Sequence, residues 1–208
     1  MDRRQFLRAG VGAGALLTAS GTSWGRAALA APAEPGPGPY GAPATTPDAN
    51  GLFLPDGFES RVIGISGEPV SGTEYQWHAA PDGGATFRMR DRGWVYVSNS
   101  ELPAPSGGVG AVRFNRGGKV VDAYRILDGT GSNCAGGATP WGRWLSCEER
   151  DGGHVWECDP ARTGQGVERP ALGSFSHEAA AVDPEHKAVY LTEDDPESRL
   201  YRFLPTRY

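Results

Sequence analysis

A short alternation of apolar and polar residues occurs three times along the chain, and each copy ends in acidic residues. The copies occupy residues 95–101, 143–149 and 189–195. The second begins 48 residues after the first, and the third begins 46 residues after the second. Alternation with a period of two is typical of a strand with one buried face. A repeat of roughly 40 to 50 residues is the length of one propeller blade, so the pattern predicts a fold of repeated β-sheets.

Further strands are predicted around each copy, as short alternating runs bounded by turn residues. These runs are residues 94–98, 109–114 and 120–127 in the first repeat, 144–147 and 154–159 in the second, and 200–204 in the third. We expect the first run of each repeat to be the innermost strand of a blade, preceded by a loop. Upstream, residues 60–65 are predicted to be a strand and residues 67–92 a surface connection, with a loop of the functional site as the alternative. The pattern as a whole indicates an all-β, β-propeller-like fold with about two and a half blades of four-stranded antiparallel sheet.

Composition agrees with a β-rich chain. The sequence contains 31 Gly and 17 Pro, which favours many short strands and turns over long helices. The formal net charge is −5, and residues 1–30 carry four of the 20 basic residues but only one of the 25 acidic ones, so the remainder carries −8. An acidic surface disfavours nucleic acid as a partner and suits divalent cations better.

The first thirty residues have the pattern of an export signal. Adjacent arginines at positions 3 and 4 precede a weakly apolar stretch rich in Gly and Ala, and residues 28–30 offer a small-residue cleavage site. We interpret residues 1–30 as a twin-arginine (Tat) signal peptide; the alternative is a short amphipathic helix that is retained. This interpretation predicts passage through the Tat translocase to the periplasm or the extracellular space, with no stable membrane span after cleavage. Residues 31–49 are Pro-rich and are predicted to be a linker.

Two further features bear on a metal site. The Tat route exports proteins that have already folded, and many of these acquire a metal in the cytoplasm, so the signal raises the expectation of a metal centre. The three cysteines, Cys134, Cys147 and Cys158, are an odd number, which excludes a full disulfide framework. One disulfide with one free thiol remains an alternative.

Candidate ligands appear when two of the repeats are aligned. Matching Thr139 to Asp183 places Cys134 opposite Glu178. Equivalent loops of neighbouring blades converge on a propeller axis, so a thiolate and a carboxylate could meet at one metal. The ends of the repeated strands add carboxylates, at Glu101, Glu148, Glu149, Glu193, Asp194 and Asp195. Carboxylates suit calcium, and a thiolate points to a transition metal as well; the alternative is that these acids are solvated turn residues.

The longest distinctive stretch, residues 133–149, resembles the signature of the PhoX-type alkaline phosphatases, a family of exported bacterial proteins. The resemblance extends from about residue 50 to residue 203, so we assign residues 50–208 to a partial PhoX-like domain. It includes Ser98-Asn99-Ser100-Glu101, Phe175-Ser176-His177-Glu178-Ala179 and Leu191-Thr192-Glu193-Asp194. The Tat signal is similar too.

The resemblance implies a six-bladed propeller whose channel holds an iron and calcium cluster that hydrolyses phosphomonoesters. Relative to such a ring the present blades are incomplete. Carried over by motif, Cys134 and Glu178 are the expected iron ligands, with Cys147 as the rival cysteine. The expected calcium ligands are Glu101, Glu148 and Asp194, with Glu149 and Glu193 next in order. Cys158 is expected to be structural, and His177 to pack beside the ligands.

One feature departs from the family pattern. Family members continue for well over a hundred residues and carry a downstream Arg-Pro-Glu motif, which this sequence lacks; the nearest match is Arg169-Pro170-Ala171. The sequence therefore resembles an N-terminal fragment, possessing part of the site. Two alternatives to a phosphatase stay open: a non-catalytic calcium-binding propeller that acts as a binding module, and an inert partial propeller that pairs with another chain.

Overall fold

The computed structural model describes residues 40–164 and 166–206. The predicted signal peptide and residues 31–39 of the predicted linker lie outside the described residues. The chain divides into two units, Met1–Ser60 and Arg61–Tyr208. In the first unit, residues 40–60 form turns. The Asp48 carboxylate stabilises one of them by accepting hydrogen bonds from the backbone N–H groups of Asn50 and Leu52, each at 2.9 Å.

The second unit consists of short antiparallel strands, as the sequence predicts. The strands are β1 (Pro81–Arg88), β2 (Trp94–Ser100), β3 (Gly107–Phe114), β4 (Val120–Thr130), β5 (Asn133–Ala138), β6 (Trp144–Glu148), β7 (Val155–Cys158), β8 (Val167–Glu168), β9 (His177–Asp183), β10 (Ala188–Glu193) and β11 (Leu200–Phe203). One turn of 3₁₀-helix, Pro170–Leu172, precedes β9. Within the described ranges, no helix is long and apolar enough to cross a membrane.

The strands form three consecutive sheets, one for each repeat. The strand orders are β1-β2-β3-β4, β5-β6-β7-β8 and β11-β10-β9, so the first two sheets have four strands and the third has three. This confirms the all-β, propeller-like prediction with its antiparallel blades. The alternation that revealed the repeats is visible in β2, where Val95 and Val97 are fully buried while Tyr96 between them is half-buried.

Two predictions upstream of the repeats were wrong. Residues 60–65 are not a strand, and residues 67–92 are not a surface connection, because they contain β1 and the buried side chains of Val70, Trp77 and His78. The order of strands within each blade was also wrong. The segments expected to be loops before the repeated phrase are the strands β5 and β9, and β5 contacts both β1 and β9. The innermost strands are therefore β1, β5 and β9.

Apolar clusters fill the spaces between successive sheets. Phe87, Val97 and Ile126 of the first sheet pack with Trp144 and Cys158 of the second. Leu145, Cys147 and Val155 of the second sheet pack with Ala180 and Leu191 of the third. All three cysteines are free thiols, so the disulfide alternative does not hold. Cys158 is a fully buried member of the core, which confirms its structural assignment.

The innermost strands approach so closely that only small residues fit between them. A Cβ on Gly137 in β5 would overlap the Ala180 carbonyl oxygen of β9, and a Cβ on Gly83 in β1 would lie 2.7 Å from the Ala135 Cα of β5. These strands are rich in Gly and Ala for this reason. They therefore lack the large apolar residues by which a strand is usually found in a sequence.

We expect Gly137→Ala to destabilise the protein, because the added methyl group would push β5 and β9 apart. Overpacking of this kind costs about 1 to 3 kcal/mol. Gly117 in the β3–β4 turn is the matched control, since a Cβ there would meet only the Asn115 side chain at 3.5 Å. Urea denaturation of both variants measures the difference. Equal unfolding free energies for the two variants would contradict the close approach.

Candidate metal centre

One potential ligand lies near the start of each innermost strand. Pro81, Asn133 and His177 occupy equivalent positions, because they pair with Ser100, Glu148 and Glu193 on the second strand of their sheets. The residues that follow them are Asp82, Cys134 and Glu178. The register therefore confirms the alignment of Cys134 with Glu178 and adds Asp82 as the third member of the set.

The end of each second strand places another potential ligand. Glu101, Glu149 and Asp194 follow the three paired residues Ser100, Glu148 and Glu193. Their backbone N–H groups make the same hydrogen bond in each sheet, to the carbonyl oxygens of Ala80 at 2.9 Å, Ser132 at 2.7 Å and Ser176 at 3.1 Å. The three sheets thus supply two matched sets of three side chains at one end of the innermost strands.

These side chains come together. The potential ligand atoms of Asp82, Glu101 and Cys134 lie within 4.8 Å of one another. The Glu149 carboxylate interacts with the Cys134 thiol, with Asp194 and with the charge of Glu178. We call Asp82, Glu101, Cys134, Glu149, Glu178 and Asp194 the acid–thiol cluster.

The acid–thiol cluster is electrostatically strained as it stands. Burial raises the pKa of the Cys134 thiol well above its usual range, and the carboxylates of Glu149, Asp82 and Glu101 raise it further. The pKa of Glu101 is raised by burial and then by the charges of Asp82 and Glu149. The pKa of Glu149 is raised by burial and, further, by Asp194 and Glu178. A cation would relieve this repulsion, because it favours the ionised form of every group in the cluster.

The donor set fits metal ions of two kinds. Five carboxylates offer the oxygen ligands that calcium takes, and the single thiol offers a softer ligand for a transition metal. The side chains of Asp82 and Glu101 are exposed and that of Cys134 is half-buried, so the ligand atoms are accessible from solvent.

The structure places Glu148, an expected calcium ligand, outside the acid–thiol cluster. Its side chain is 1% exposed and accepts hydrogen bonds from the backbone N–H groups of Gly131 at 2.9 Å and His154 at 3.1 Å. The Arg150 guanidinium pairs with it at 3.1 Å. In the repeated phrase, Glu148 and Asp194 are both the sixth of seven residues. Strand pairing instead matches Glu148 with Glu193, because these two residues pair with the first residues of β5 and β9. The third copy of the phrase is therefore offset by one residue from the structural repeat, and Glu149 is the structural equivalent of Asp194.

The other candidates also have structural partners. Cys147 is fully buried in the core between the second and third sheets, where burial raises its pKa to about 12. Glu193 accepts a hydrogen bond from the Tyr201 hydroxyl at 2.9 Å, and Asp195 accepts one from the Glu197 backbone at 2.9 Å. His177 is fully buried, with its ring 3.6 Å from that of Phe175.

Asp82 is the cluster member that sequence reasoning missed. It lies in the segment expected to be a surface connection, where Pro81-Asp82-Gly83-Gly84 resembles a turn. The available signal is the pattern of small residues: Asp82-Gly83-Gly84 corresponds to Cys134-Ala135-Gly136, and Gly84 and Gly136 pair with the equivalent serines Ser98 and Ser146.

The fold and the cluster together define a class of protein: a propeller-like β-protein in which carboxylates and one thiol from successive sheets meet at one place. A family model described as alkaline phosphatase PhoX matches residues 86–153 and 150–208. The chain therefore belongs to the alkaline phosphatase PhoX family, as its sequence motifs suggest. No curated protein matches it in sequence.

Among solved structures, the chain is similar to Pseudomonas fluorescens PhoX in complex with vanadate, a transition state analogue. The TM-score is 0.62 with 21% sequence identity, over 79% of this chain and 50% of that one. At this identity the likeness concerns the fold. The chain spans about half the length of the PhoX structure that it matches.

We expect the contribution of Glu101 and Glu149 to the stability of the metal-free protein to fall as the pH rises above the ordinary carboxyl pKa. Because the pKa values of Glu101 and Glu149 are raised in the folded state, that state binds more protons than the unfolded chain between the ordinary and the raised pKa. Glu149→Gln removes one such group, so its melting temperature in chelator should fall less with pH than that of the wild type. The exposed Glu68, outside the cluster, provides the control variant Glu68→Gln. If the melting temperature of Glu149→Gln depended on pH as strongly as that of the wild type, repulsion within the cluster would be contradicted.

The neighbouring substitution Glu148→Gln should destabilise the protein without weakening calcium binding. It removes charge-assisted hydrogen bonds from a buried side chain, which costs about 1.5 to 3 kcal/mol of unfolding free energy. Calcium affinity of the folded variant, measured by calorimetry, should match the wild type, because Glu148 is engaged with Gly131, His154 and Arg150. Loss of calcium binding without loss of stability would restore Glu148 as a ligand.

Proposed function

We propose that this chain is part of an exported, metal-dependent phosphatase that hydrolyses phosphomonoesters at the acid–thiol cluster. The observation that carries the proposal is the convergence of Asp82, Glu101 and Cys134, from two sheets, within 4.8 Å of one another. Membership of the alkaline phosphatase PhoX family supports the phosphatase assignment. Since the chain spans half of the matched PhoX structure, the activity is proposed for the protein of which these sheets form the metal-binding part.

Within the cluster we assign ligands by donor type. Cys134 and Glu178 would hold iron, since a thiolate favours a transition metal. Glu101, Glu149 and Asp194 would hold calcium, with Glu149 in the place expected for Glu148, and Asp82 can serve either metal through its carboxylate. When bound, the metals would supply Lewis-acid polarisation of the phosphoryl oxygens and activation of the attacking oxygen.

The residues of the chain set the conditions for that chemistry. The raised pKa of Cys134 keeps the thiol protonated at neutral pH, so binding of a metal must release this proton. The carboxylates repel a phosphate dianion until a cation neutralises them. Substrate binding therefore depends on metal loading, since the negative charge of the metal-free cluster excludes a phosphate substrate.

Export is part of the proposal. The twin-arginine pattern of residues 1–30 supports passage through the Tat translocase in the folded state, which would allow iron to be acquired in the cytoplasm. The mature protein would then act in the periplasm or the extracellular space.

A second candidate function is a non-catalytic calcium-binding module. The observation that favours it is the donor set of the cluster, in which five carboxylates, the ligand type that calcium takes, accompany a single thiol. In that case the same carboxylates would bind calcium, but the protein would have no phosphatase activity.

We expect purified protein loaded with iron and calcium to hydrolyse p-nitrophenyl phosphate, and chelation to abolish the activity. Asp82→Asn and Cys134→Ser should each lower kcat/KM by 10- to 100-fold or more, because each removes a ligand. Cys158→Ser, at a core cysteine outside the cluster, is the control and should keep the metal content of the wild type. Calcium binding without iron or turnover would favour the second candidate, and absence of both metals would refute the first.

A further inference from the structure

Asn99 lies where the first sheet meets the second, and it is fully buried. It belongs to β2, but its side-chain nitrogen Nδ2 donates to the carbonyl oxygens of Cys134 at 2.9 Å and Ala135 at 2.7 Å, at the start of β5. One amide group thus holds two successive peptide carbonyls from the neighbouring sheet. This fixes the backbone from which the Cys134 thiol projects.

The oxygen end of the same side chain is equally well held. Asn99 Oδ1 accepts hydrogen bonds from Trp144 Nε1 at 2.9 Å and from Ser146 Oγ at 3.0 Å, both on β6. An indole N–H can only donate, so the amide orientation is determined. All four hydrogen bonds of the Asn99 amide go to the second sheet.

Neighbouring polar groups support this arrangement. Ser146 Oγ also accepts from Asn133 Nδ2 at 2.9 Å, and Asn133 Oδ1 accepts from Thr130 Oγ1 at 2.7 Å. Ser98 Oγ, by contrast, donates to the backbone carbonyl oxygen of Asn99 at 3.3 Å and not to its side-chain amide. The Asn99 side chain is therefore held in one rotamer by a buried network.

The repeat itself does not require an asparagine at this position. The equivalent residues, two before the cluster acids Glu149 and Asp194, are Cys147 and Thr192. Cys147 packs in an apolar core, and the Thr192 hydroxyl accepts from the Ala179 backbone within its own sheet at 3.0 Å. An amide that reaches across to the next sheet occurs at the junction that carries the thiol, which a general need for core packing does not explain.

We propose that Asn99 is a positioning residue of the metal centre, which directs the Cys134 thiol toward Asp82, Glu101 and Glu149. This inference rests on the proposed function and deepens it. Asn99 does not contact the metal. It acts through the Cys134 and Ala135 carbonyls, much as outer groups orient the ligands of other metal sites.

The test is Asn99→Asp, which preserves the shape of the side chain and the acceptor facing Trp144 and Ser146. It replaces the two donors with an oxygen that repels the Cys134 and Ala135 carbonyls. Ser98→Ala is the matched control, because it removes a fully buried polar group one residue away that has no bond to β5. Asn99→Ser provides a second variant if the aspartate prevents folding, and circular dichroism verifies the fold of each.

Two measurements report on the thiol directly. Cobalt(II) is titrated into metal-free protein, and the near-ultraviolet thiolate-to-cobalt absorption band is followed; we expect half-saturation at a 10- to 100-fold higher cobalt concentration in Asn99→Asp than in the wild type. Iodoacetamide is then applied to the metal-free folded protein. Cys147 and Cys158 are fully buried, so alkylation reports Cys134, and its rate should change several-fold in Asn99→Asp and remain at the wild-type value in Ser98→Ala.

The outcomes separate the two proposals. If the wild type gives the cobalt band and Asn99→Asp gives the same half-saturation and alkylation rate, positioning is refuted while the proposed function stands. Equal shifts in Asn99→Asp and Ser98→Ala would also refute positioning, because they would reveal a general loss of packing. If the wild type gives no thiolate band, the metal centre and the positioning role are both overturned.

Discussion

The structure depends on the close contact of its innermost strands. β1, β5 and β9 approach until Gly83 lies against Ala135 and Gly137 lies against the Ala180 carbonyl. Because no side chain separates these backbones, the side chains at their ends cannot spread apart. Asp82, Cys134 and Glu178 are the second residues of the three strands, so the packing of the sheets brings acidic and thiol groups together despite their mutual repulsion.

Several hydrogen bonds hold these strand ends in place against the repulsion between the acidic groups. The Asn99 amide binds the β5 backbone, and the N–H groups of Glu101 and Glu149 bind Ala80 and Ser132. Ala80 and Ser132 have φ angles of 46° and 50°, a left-handed conformation that is unfavourable for residues other than glycine. Backbone strain and charge repulsion thus coincide at the end of the sheets where the candidate ligands meet. Such a combination is typical of functional sites, where a bound ligand offsets the cost.

The adjacent residues Glu148 and Glu149 have different structural roles because their side chains point in different directions. Glu148 ends β6 and is buried with Arg150, whereas Glu149 lies one residue further and interacts with Cys134 and Asp194. Successive residues of an extended chain point in opposite directions. One carboxylate therefore stabilises the turn, and the other joins the acid–thiol cluster.

The sequence by itself determined the repeat, the antiparallel strands around it, and the alignment of Cys134 with Glu178, because alternation and spacing are local properties of the chain. It also predicted Glu101 and Asp194 as members of the site. It could not reveal β1, β5 and β9 as strands, because their small residues serve contact between sheets rather than burial of large side chains. Only the tertiary structure placed Asp82 in the cluster and exchanged Glu148 for Glu149. The one-residue offset of the third phrase and the approach of β1 to β5 follow from pairing between distant segments, which no local pattern records.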